Sequence, residues 1–422
     1  MADAALRNGP VTPEISDDEA LTRVLEARVA ALRDELLADQ QEAEIRGRTS
    51  PEIYARLAEA GVNKILAPKR FGGYELSIES FFRVMIEISR GDPGVGWMAG
   101  LGAGHVYHVA SYMSLEAQEE LLGSGTDFVA PLRLAQPLEA EQVAGGWRLN
   151  GRWDFLSGLP YSTHLMGGAL LKGSDTAGKP DFRVVVIPRA SVEELDNWGN
   201  GNPIGMQASG SASALIHDVV VPEHLTFRYE MQKQLPDEGS AGYQIHGNPM
   251  YLGRDLGFFA GELAATQVGN AYAALDEYER YMVSKRPSFP PLVFGPPPTR
   301  LALHEYNAWW GSIRRHADAA KAILLGAARE QAELGENWAR TGSPFSLEDD
   351  MHLRSLVMMA GKTATEAVRI AFRNTGAFAA GKGQRLQKYY RDAGTYETHL
   401  GAQYESTDAS ISLLHFTDEI YW

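Results

Sequence analysis

Cysteine is absent from all 422 residues. That excludes disulfides, thiolate zinc sites, iron–sulfur clusters, thiolate-ligated haem and cysteine nucleophiles together. Long apolar runs are missing too, since none approaches the roughly 18 residues that a membrane span requires. The opening stretch from Met1 to Ala20 has no basic segment leading into an apolar core. It is not read as a signal peptide, and the expected location is cytoplasmic. Positive charge is in short supply, with 39 Lys and Arg against 54 Asp and Glu and a net charge of −15. Such a surface repels phosphate backbones and anionic lipid, so nucleic acid and membrane are not expected as partners.

What is present reads as helix, then strand, then helix. Leu21, Leu25, Val29, Leu32 and Leu36 fall on one stripe, which predicts a single long helix from about Ser16 to Arg46. Ser50-Pro51 starts another helix and Gly61 ends it; Asp92-Pro93 repeats the start signal. Residues 77–122 read as two or three more helices. From about Asp127 to Arg228 the helical period disappears. Short runs rich in β-branched and aromatic residues alternate with Gly-Gly, Asn-Gly and Lys-Pro-Asp turns, which predicts an antiparallel barrel or sandwich.

A Gly/Pro-rich linker covers about 232–250. Long helices are then expected over 253–283, 300–335 and 348–375, with a Pro-rich loop from Pro287 to Pro298 between the first two. Ser346 followed by Asp349 resembles a capping box at the start of the third. A shorter helix begins near Gln384. The boundaries are set at 1–126 for an N-terminal helical domain, 127–230 for a central β-domain and 231–422 for a C-terminal helical bundle. The apolar positions on the long C-terminal helices exceed what one bundle face buries, so a homotetramer built as a dimer of dimers is expected.

Gly100, Gly102 and Gly104 lie inside a helical segment with no strand before them, so they are read as a close-packing face rather than a dinucleotide loop. Gly361-Lys362-Thr363 lacks the P-loop's first glycine, because position 356 is Leu. His105 and His108 sit three residues apart on one helix face. They suit an acid/base histidine in a pocket or two ordinary partly buried rings; the pattern shows no carboxylate near them, and no metal is assigned. Trp153, Phe155, Ser157 and Gly158 alternate into a turn. They suit either a sheet-core face or a flat aromatic wall against a planar ring cofactor. Arg391-Asp392 followed by His399 reads, by itself, as a helix-end ion pair beside an unrelated histidine.

Several stretches together resemble one family. They are Gly96-Trp97, Ala103 to His108, Gly146 to Gly158, Gly205 to Ser211 leading to Val220-Val221-Pro222, and Leu386 to Asp392 with His399. They are similar to the oxygenase components of two-component flavin-dependent monooxygenases, which share the acyl-CoA dehydrogenase fold. The resemblance covers about 16–405. It implies an α+β, mainly α fold: an N-terminal helical domain, a central antiparallel β-barrel or sandwich and a C-terminal four-helix bundle. There are departures. Tyr161 stands near the turn where these hydroxylases often carry His, and Arg385 replaces a Pro. Tyr404-Glu405-Ser406-Thr407 is similar to a dehydrogenase segment whose Glu is the base, but Glu405 lies farther from Arg391-Asp392 than that Glu does. The dehydrogenase Thr-Glu-Pro and Gly-Ser-Asp elements are missing, with Ala130 to Ala135 in their place. Thioester α,β-desaturation is therefore the second reading, beside N- or S-oxygenation on the same fold.

The resemblance implies a reduced flavin, FMN or FAD, with O₂ as co-substrate and a flavin C4a-hydroperoxide as the oxygen donor. The substrate is a small electron-rich molecule, aromatic, phenolic or polycyclic. No nicotinamide-binding unit is present, so a separate NAD(P)H:flavin reductase is the expected partner. His399 takes the peroxide side and Ser157 the flavin N5/C4a edge, while His105 or His108 faces the substrate as base or hydrogen-bonding group. Trp153, Phe155, Ser157 and the backbone near Leu132 flank the isoalloxazine, and Arg391 and Asp392 belong to the cofactor-binding set. Arg286 resembles the family's phosphate-binding Arg, often donated by a neighbouring subunit. Tyr161, Phe258, Phe259, Trp309, Trp310 and Phe378 are candidate pocket walls.

Overall fold

Local start signals set most helix boundaries in the computed structural model, which describes residues 17–125, 127–176, 179–229, 236–287 and 299–417. The stretch 1–16 and the Pro-rich stretch 288–298 lie outside the described residues. The first helices are α1 (Asp17–Ala30), α2 (Arg33–Arg46), α3 (Pro51–Glu59), α4 (Ile78–Gly91), α5 (Pro93–Gly104), α6 (Val106–Tyr112) and α7 (Leu115–Leu122). Ser50, Ser77 and Ser114 each cap the following helix by accepting a backbone N–H from three residues on. Asp92 does the same for α5, accepting from Gly94 and Val95 with Pro93 in the first turn.

Two expectations are corrected here. The long helix over 16–46 is two helices, broken at Ala31-Leu32, where Leu32 N–H bonds back only three residues to Val29. Leu25, Val29, Leu32 and Leu36 all remain buried across the break, so the stripe survives and its axis does not. Packing forces the bend, because α2 presses on α4 at Gly91. A Cβ there would lie 2.6 Å from Leu36 Cδ1, and Gln40 Nε2 donates to the Gly91 carbonyl at 2.8 Å. Residues 77–122 hold four helices rather than two or three, since His105 ends α5 and α6 starts at Val106.

The strands are β1 (Leu132–Val143), β2 (Gly146–Leu156), β3 (His164–Thr176), β4 (Lys179–Pro188), β5 (Val192–Leu195), β6 (Ala212–Val221) and β7 (Thr226–Arg228). They form one sheet in the order β5-β6-β2-β1-β3-β4-β7. Its pairs are antiparallel, as expected, except that β1 and β3 run parallel. The short turn over Leu159–Tyr161 carries the chain past the β1–β2 hairpin to the free edge of β1.

Then come α8 (Ala241–His246), α9 (Leu256–Ser284), α10 (His304–Thr341), α11 (Leu347–Arg373), α12 (Arg385–Tyr396) and α13 (Tyr404–Thr417). The capping box at α11 is complete: Ser346 Oγ accepts from Asp349 N–H, and the Asp349 carboxylate accepts from Ser346 N–H.

A buried ion cluster joins the three regions. Lys388 on α12 donates to Asp92 at 3.0 Å and to Asp392 at 2.8 Å, and the other Asp392 oxygen accepts the Met206 N–H at 2.6 Å. All three side chains are at most 5% exposed. Burial works against the Lys388 ammonium, but Asp392 and Asp92 outweigh it and hold its pKa above the usual lysine range. Lys388→Ala leaves two buried carboxylates without a cation. It should cost about 3–5 kcal/mol of unfolding free energy, read by urea denaturation. A cost below about 1 kcal/mol would show that the cluster does not hold these regions together.

Candidate active site

The end of α5, the first residues of β1, the last of β2, the 198–211 loop, α9 and the end of α12 converge on one cleft of about 770 Å³. That is ample for a ring cofactor or a drug-sized ligand. Its walls are mainly apolar, with Leu101, Leu132, Phe155, Ile204, Phe259 and Leu263 among them. Its polar groups are few and fixed.

His399 lines the cleft just past α12. Its Nδ1 accepts the Gly401 N–H at 3.0 Å, so a neutral ring carries its proton on Nε2. Burial, with Arg133 and Arg354 nearby, lowers its pKa to about 4. The ring packs edge-on against Trp97, centroids 5.3 Å apart.

Ser157 lies in a hydroxyl chain. Trp97 Nε1–H donates to Ser157 Oγ at 3.0 Å, Ser157 and Ser211 share a bond of 2.8 Å, and Ser211 and Ser209 one of 2.6 Å. All four side chains line the cleft.

His105 also lines the cleft. Its Nδ1 lies 2.8 Å from the Ala130 carbonyl, which only accepts, so Nδ1 carries the hydrogen. Its Nε2 faces Glu262 at 3.4 Å without forming a hydrogen bond. His108 does not line the cleft. It is fully buried behind His105, with Nε2 3.0 Å from Asp255, whose carboxylate also accepts the Tyr229 hydroxyl at 2.9 Å. The histidine pair therefore has a carboxylate on each ring, both supplied by the α9 region 150 residues away. The local pattern had no means of showing them.

Trp153 and Phe155 part company. Phe155 has φ +62°, and the β2–β6 register shifts between Trp153 and Leu156. This bulge turns Phe155 out to the cleft, 61% exposed, while Trp153 stays in the sheet core against Gly167. The two rings therefore do not make one wall. Leu132 lines the cleft, as does Arg133, whose guanidinium sits 5.6 Å from the Phe155 ring centre with Nε unpartnered.

Arg391 and Asp392 stand behind the cleft and are not paired with each other. Arg391 binds Glu44 at 2.8 and 3.0 Å and the Ile204 carbonyl at 2.6 Å, while Asp392 holds Met206. Together they pin the 204–206 loop that forms one wall. Arg286 is exposed beyond α9 and does not reach its own chain's cleft. Of the six candidate wall aromatics only Phe259 lines the cleft; Phe258 is core and Tyr161 stacks on Tyr54. Glu405, on α13, is exposed and outside the cleft.

Sequence reasoning missed Glu262 and Arg133. Glu262 is the one charged residue between Leu256 and Leu275, a signal the sequence does carry. Among the described residues, no group of three His, Asp or Glu side chains suits a metal ion.

Comparison with known proteins fits this layout. The acyl-CoA dehydrogenase N-terminal domain matches residues 19–129 and the acyl-CoA dehydrogenase C-terminal domain residues 262–404, together more than half of the chain. The flavin-dependent monooxygenase oxygenase subunit HsaA of Rhodococcus jostii (strain RHA1) is 27% identical over 381 residues, 88% of this chain and 93% of that protein. The oxygenase component of the FADH₂-dependent resorcinol hydroxylase of Rhizobium sp. (strain MTP-10005) is 26% identical, over 92% of each chain. The structure of XiaF from Streptomyces sp., solved with FADH₂ and glycerol, superposes with a TM-score of 0.82 at 20% identity, covering 95% of this chain and 96% of that one. The chain belongs to the acyl-CoA dehydrogenase family, and the relatives it is similar to over most of its length are oxygenase components of flavin-dependent monooxygenases.

The His399 geometry can be tested directly. By histidine NMR the ring should titrate near pH 4 and be neutral at pH 6. The unfolded chain, with an ordinary pKa of about 6.5, binds this proton more readily than the folded one. The buried ring therefore removes stability as pH falls from about 6.5 toward 4. His399→Asn keeps an acceptor for Gly401 N–H and should flatten that limb of the pH–stability curve. A His399 titration at 6.5 or above would contradict the assignment.

Proposed function

We propose that the chain is the oxygenase component of a two-component, reduced-flavin-dependent monooxygenase acting on a small electron-rich aromatic molecule. The observation that carries this reading is the pairing of two fixed histidines across one cleft. His399 presents Nε2–H and His105 presents an Nε2 free of backbone bonds.

The residues present suit a flavin. A planar ring system needs a flat apolar contact, donors along one edge and a cation for its phosphate or ring carbonyls. Phe155 and Leu132, the Trp97–Ser157–Ser211 chain and the unpartnered Arg133 Nε meet those needs. Reduced flavin, FMN or FAD, supplies the electrons that activate O₂. His399 donates one hydrogen bond toward the reacting oxygen and, with its low pKa, stays neutral while doing so. Ser157 offers a second polar contact whose direction is set by Trp97. Leu101, Leu263 and Phe259 exclude water, which lengthens the life of a reactive oxygen donor. His105 faces the substrate side, held in one tautomer by Ala130.

Thioester desaturation has one observation in its favour, the Glu262 carboxylate at the cleft floor. The monooxygenase relatives and the His399 donor weigh against it, and the family-like Glu405 does not reach the cleft. Reduced flavin comes from a separate NAD(P)H:flavin reductase in this reading, supported by the likeness to oxygenase components and by a sequence with no strand–GxGxxG–helix unit. Exposed Met359, Phe378, Leu400 and Phe416 on the C-terminal elements support a homotetramer, in which Arg286 would serve a neighbour's cleft.

The chain alone should not consume NADH, and should oxygenate an aromatic substrate once a flavin reductase is added. NADH turnover by the chain alone would sink the reading, as would bleaching of bound FAD by an acyl-CoA. His399→Asn should still bind flavin but release H₂O₂ roughly ten- to a hundredfold faster on mixing the reduced complex with O₂, with product yield falling in step. Full coupling in that variant would remove His399 from the oxygen side. Light scattering should give a particle of four 46.2 kDa chains at micromolar concentration; the mass of one chain would count against the tetramer.

A further inference from the structure

A charged side chain in a cleft wall is ordinarily paired, because partial burial takes water from it and an opposite charge makes up the loss. Arg133 is an exception. It is half-buried, and it is the one cation among the Lys and Arg side chains of the chain that lines the cleft. The carboxylate of the lining, Glu262, faces His105 instead. Arg133 forms no ion pair with a carboxylate of the described residues. Its Nη2 donates to the Gln136 side chain at 3.4 Å, and its Nε is buried without a partner. Asp154 acts on it from a distance but is itself held by Arg152 at 2.6 Å. Burial pulls the Arg133 pKa down, yet a guanidinium stays charged in a protein.

The local backbone aims this charge. Gln136 has φ +60°, and the β1–β3 register shifts between Arg133 and Leu138. Leu132 and Arg133, neighbours that a regular strand sends to opposite faces, both line the cleft beside this irregularity. The guanidinium stands 5.6 Å from the centre of the Phe155 ring. It also adds to the effect of burial in lowering the His399 pKa to about 4, which places it near that ring as well. A positive charge with no anion of its own therefore stands beside both the flat contact offered to a flavin and the histidine of the oxygen side.

Resting on the oxygenase reading above, we infer that Arg133 selects the oxidation state of the bound flavin. It pairs with the negative charge that the reduced ring carries near neutral pH and the oxidised ring lacks. The ring rather than the phosphate is its anion, because Phe155 and His399, the groups beside it, are those the reading gives to the ring. An oxygenase that receives its flavin already reduced has to hold that form and release the oxidised one. A single fixed cation does both, since it attracts only one of two rings of the same shape. Two unit charges a few ångströms apart, screened as in a half-open cleft, change affinity by about tenfold or more.

The test measures binding, not turnover. Oxidised FMN is titrated into the full chain by fluorescence, and FMN reduced with dithionite is titrated under anaerobic conditions. The midpoint potential of the bound flavin gives the ratio of the two affinities independently. The parent chain should bind reduced FMN at least about tenfold more tightly, which puts the bound potential at least about 30 mV above that of free FMN. Arg133→Gln should weaken reduced FMN about tenfold, lower the bound potential by about 30 mV and leave oxidised FMN unchanged. Arg133→Lys keeps the charge and should retain most of the preference. Riboflavin separates ring from phosphate: its reduced form should lose the same factor in Arg133→Gln. A loss confined to FMN and equal in both oxidation states would make Arg133 a phosphate ligand and overturn the inference. So would an unchanged preference in Arg133→Gln, its loss in Arg133→Lys, or a parent chain that does not favour reduced FMN. Flavin binding with no such preference leaves the oxygenase reading intact; absence of flavin binding in both states defeats that reading itself.

Discussion

The arrangement depends on one buried cation. Lys388 lies between Asp92 and Asp392, and through them it touches all three regions of the chain: the α5 cap, the loop after β5, and α12. Each ion here has given up water, and in a medium of low polarity that loss is repaid only by close opposite charge and by filling the remaining acceptor positions. Both conditions are met except at Asp92 Oδ2, which is buried without a hydrogen-bond partner. Asp92 also takes the Gly94 N–H at 2.8 Å, and Asp392 takes Met206 N–H. Hydrophobic burial could hold these layers together in several registers. Three groups that must meet within about 3 Å allow far fewer.

The cleft inherits its geometry from that cluster. Asp92 starts α5, whose far end delivers His105. Asp392 fixes Met206, a wall residue, and about one turn further along the chain α12 ends at Tyr396, with His399 three residues beyond. Arg391 adds the grip on Ile204 from the same turn of helix. The Arg-Asp segment therefore serves the cleft from outside, by placing a loop. The proposed roles of His105 and His399 need side chains placed to about half an ångström, and rigid helices joined at a buried ion cluster provide that precision.

Features written in local chemistry were legible from sequence. Ser50, Asp92 and Ser346 announced helix starts, because a cap is an interaction with the next three residues. The apolar stripe of 21–36 gave the buried face correctly, but not the break at Leu32, which packing of α2 onto Gly91 imposes. Period-2 reasoning put Trp153 and Phe155 on one face, and the bulge at Phe155 separated them; a single residue at positive φ leaves no trace in an alternation pattern. His105 stood out by its spacing from His108, and the roles given to His105 and His399 came from resemblance. Their carboxylate and backbone partners come from distant segments, so no spacing rule reaches them. Glu262 was detectable in principle, as the lone charge among the twenty residues from Leu256 to Leu275, and was overlooked because an acid on a long helix is ordinarily solvated.

The central claim is that one cleft, framed by this cluster, holds both the flavin ring and the substrate. The most direct measurement is a crystal structure of the chain soaked with oxidised FMN. The account requires the isoalloxazine ring in the cleft of about 770 Å³, in contact with Phe155 and the Ser157 hydroxyl and within reach of His399 Nε2. A ring bound instead in the smaller polar groove between α2 and α12, lined by Gln41, Arg280 and Arg385, would contradict it.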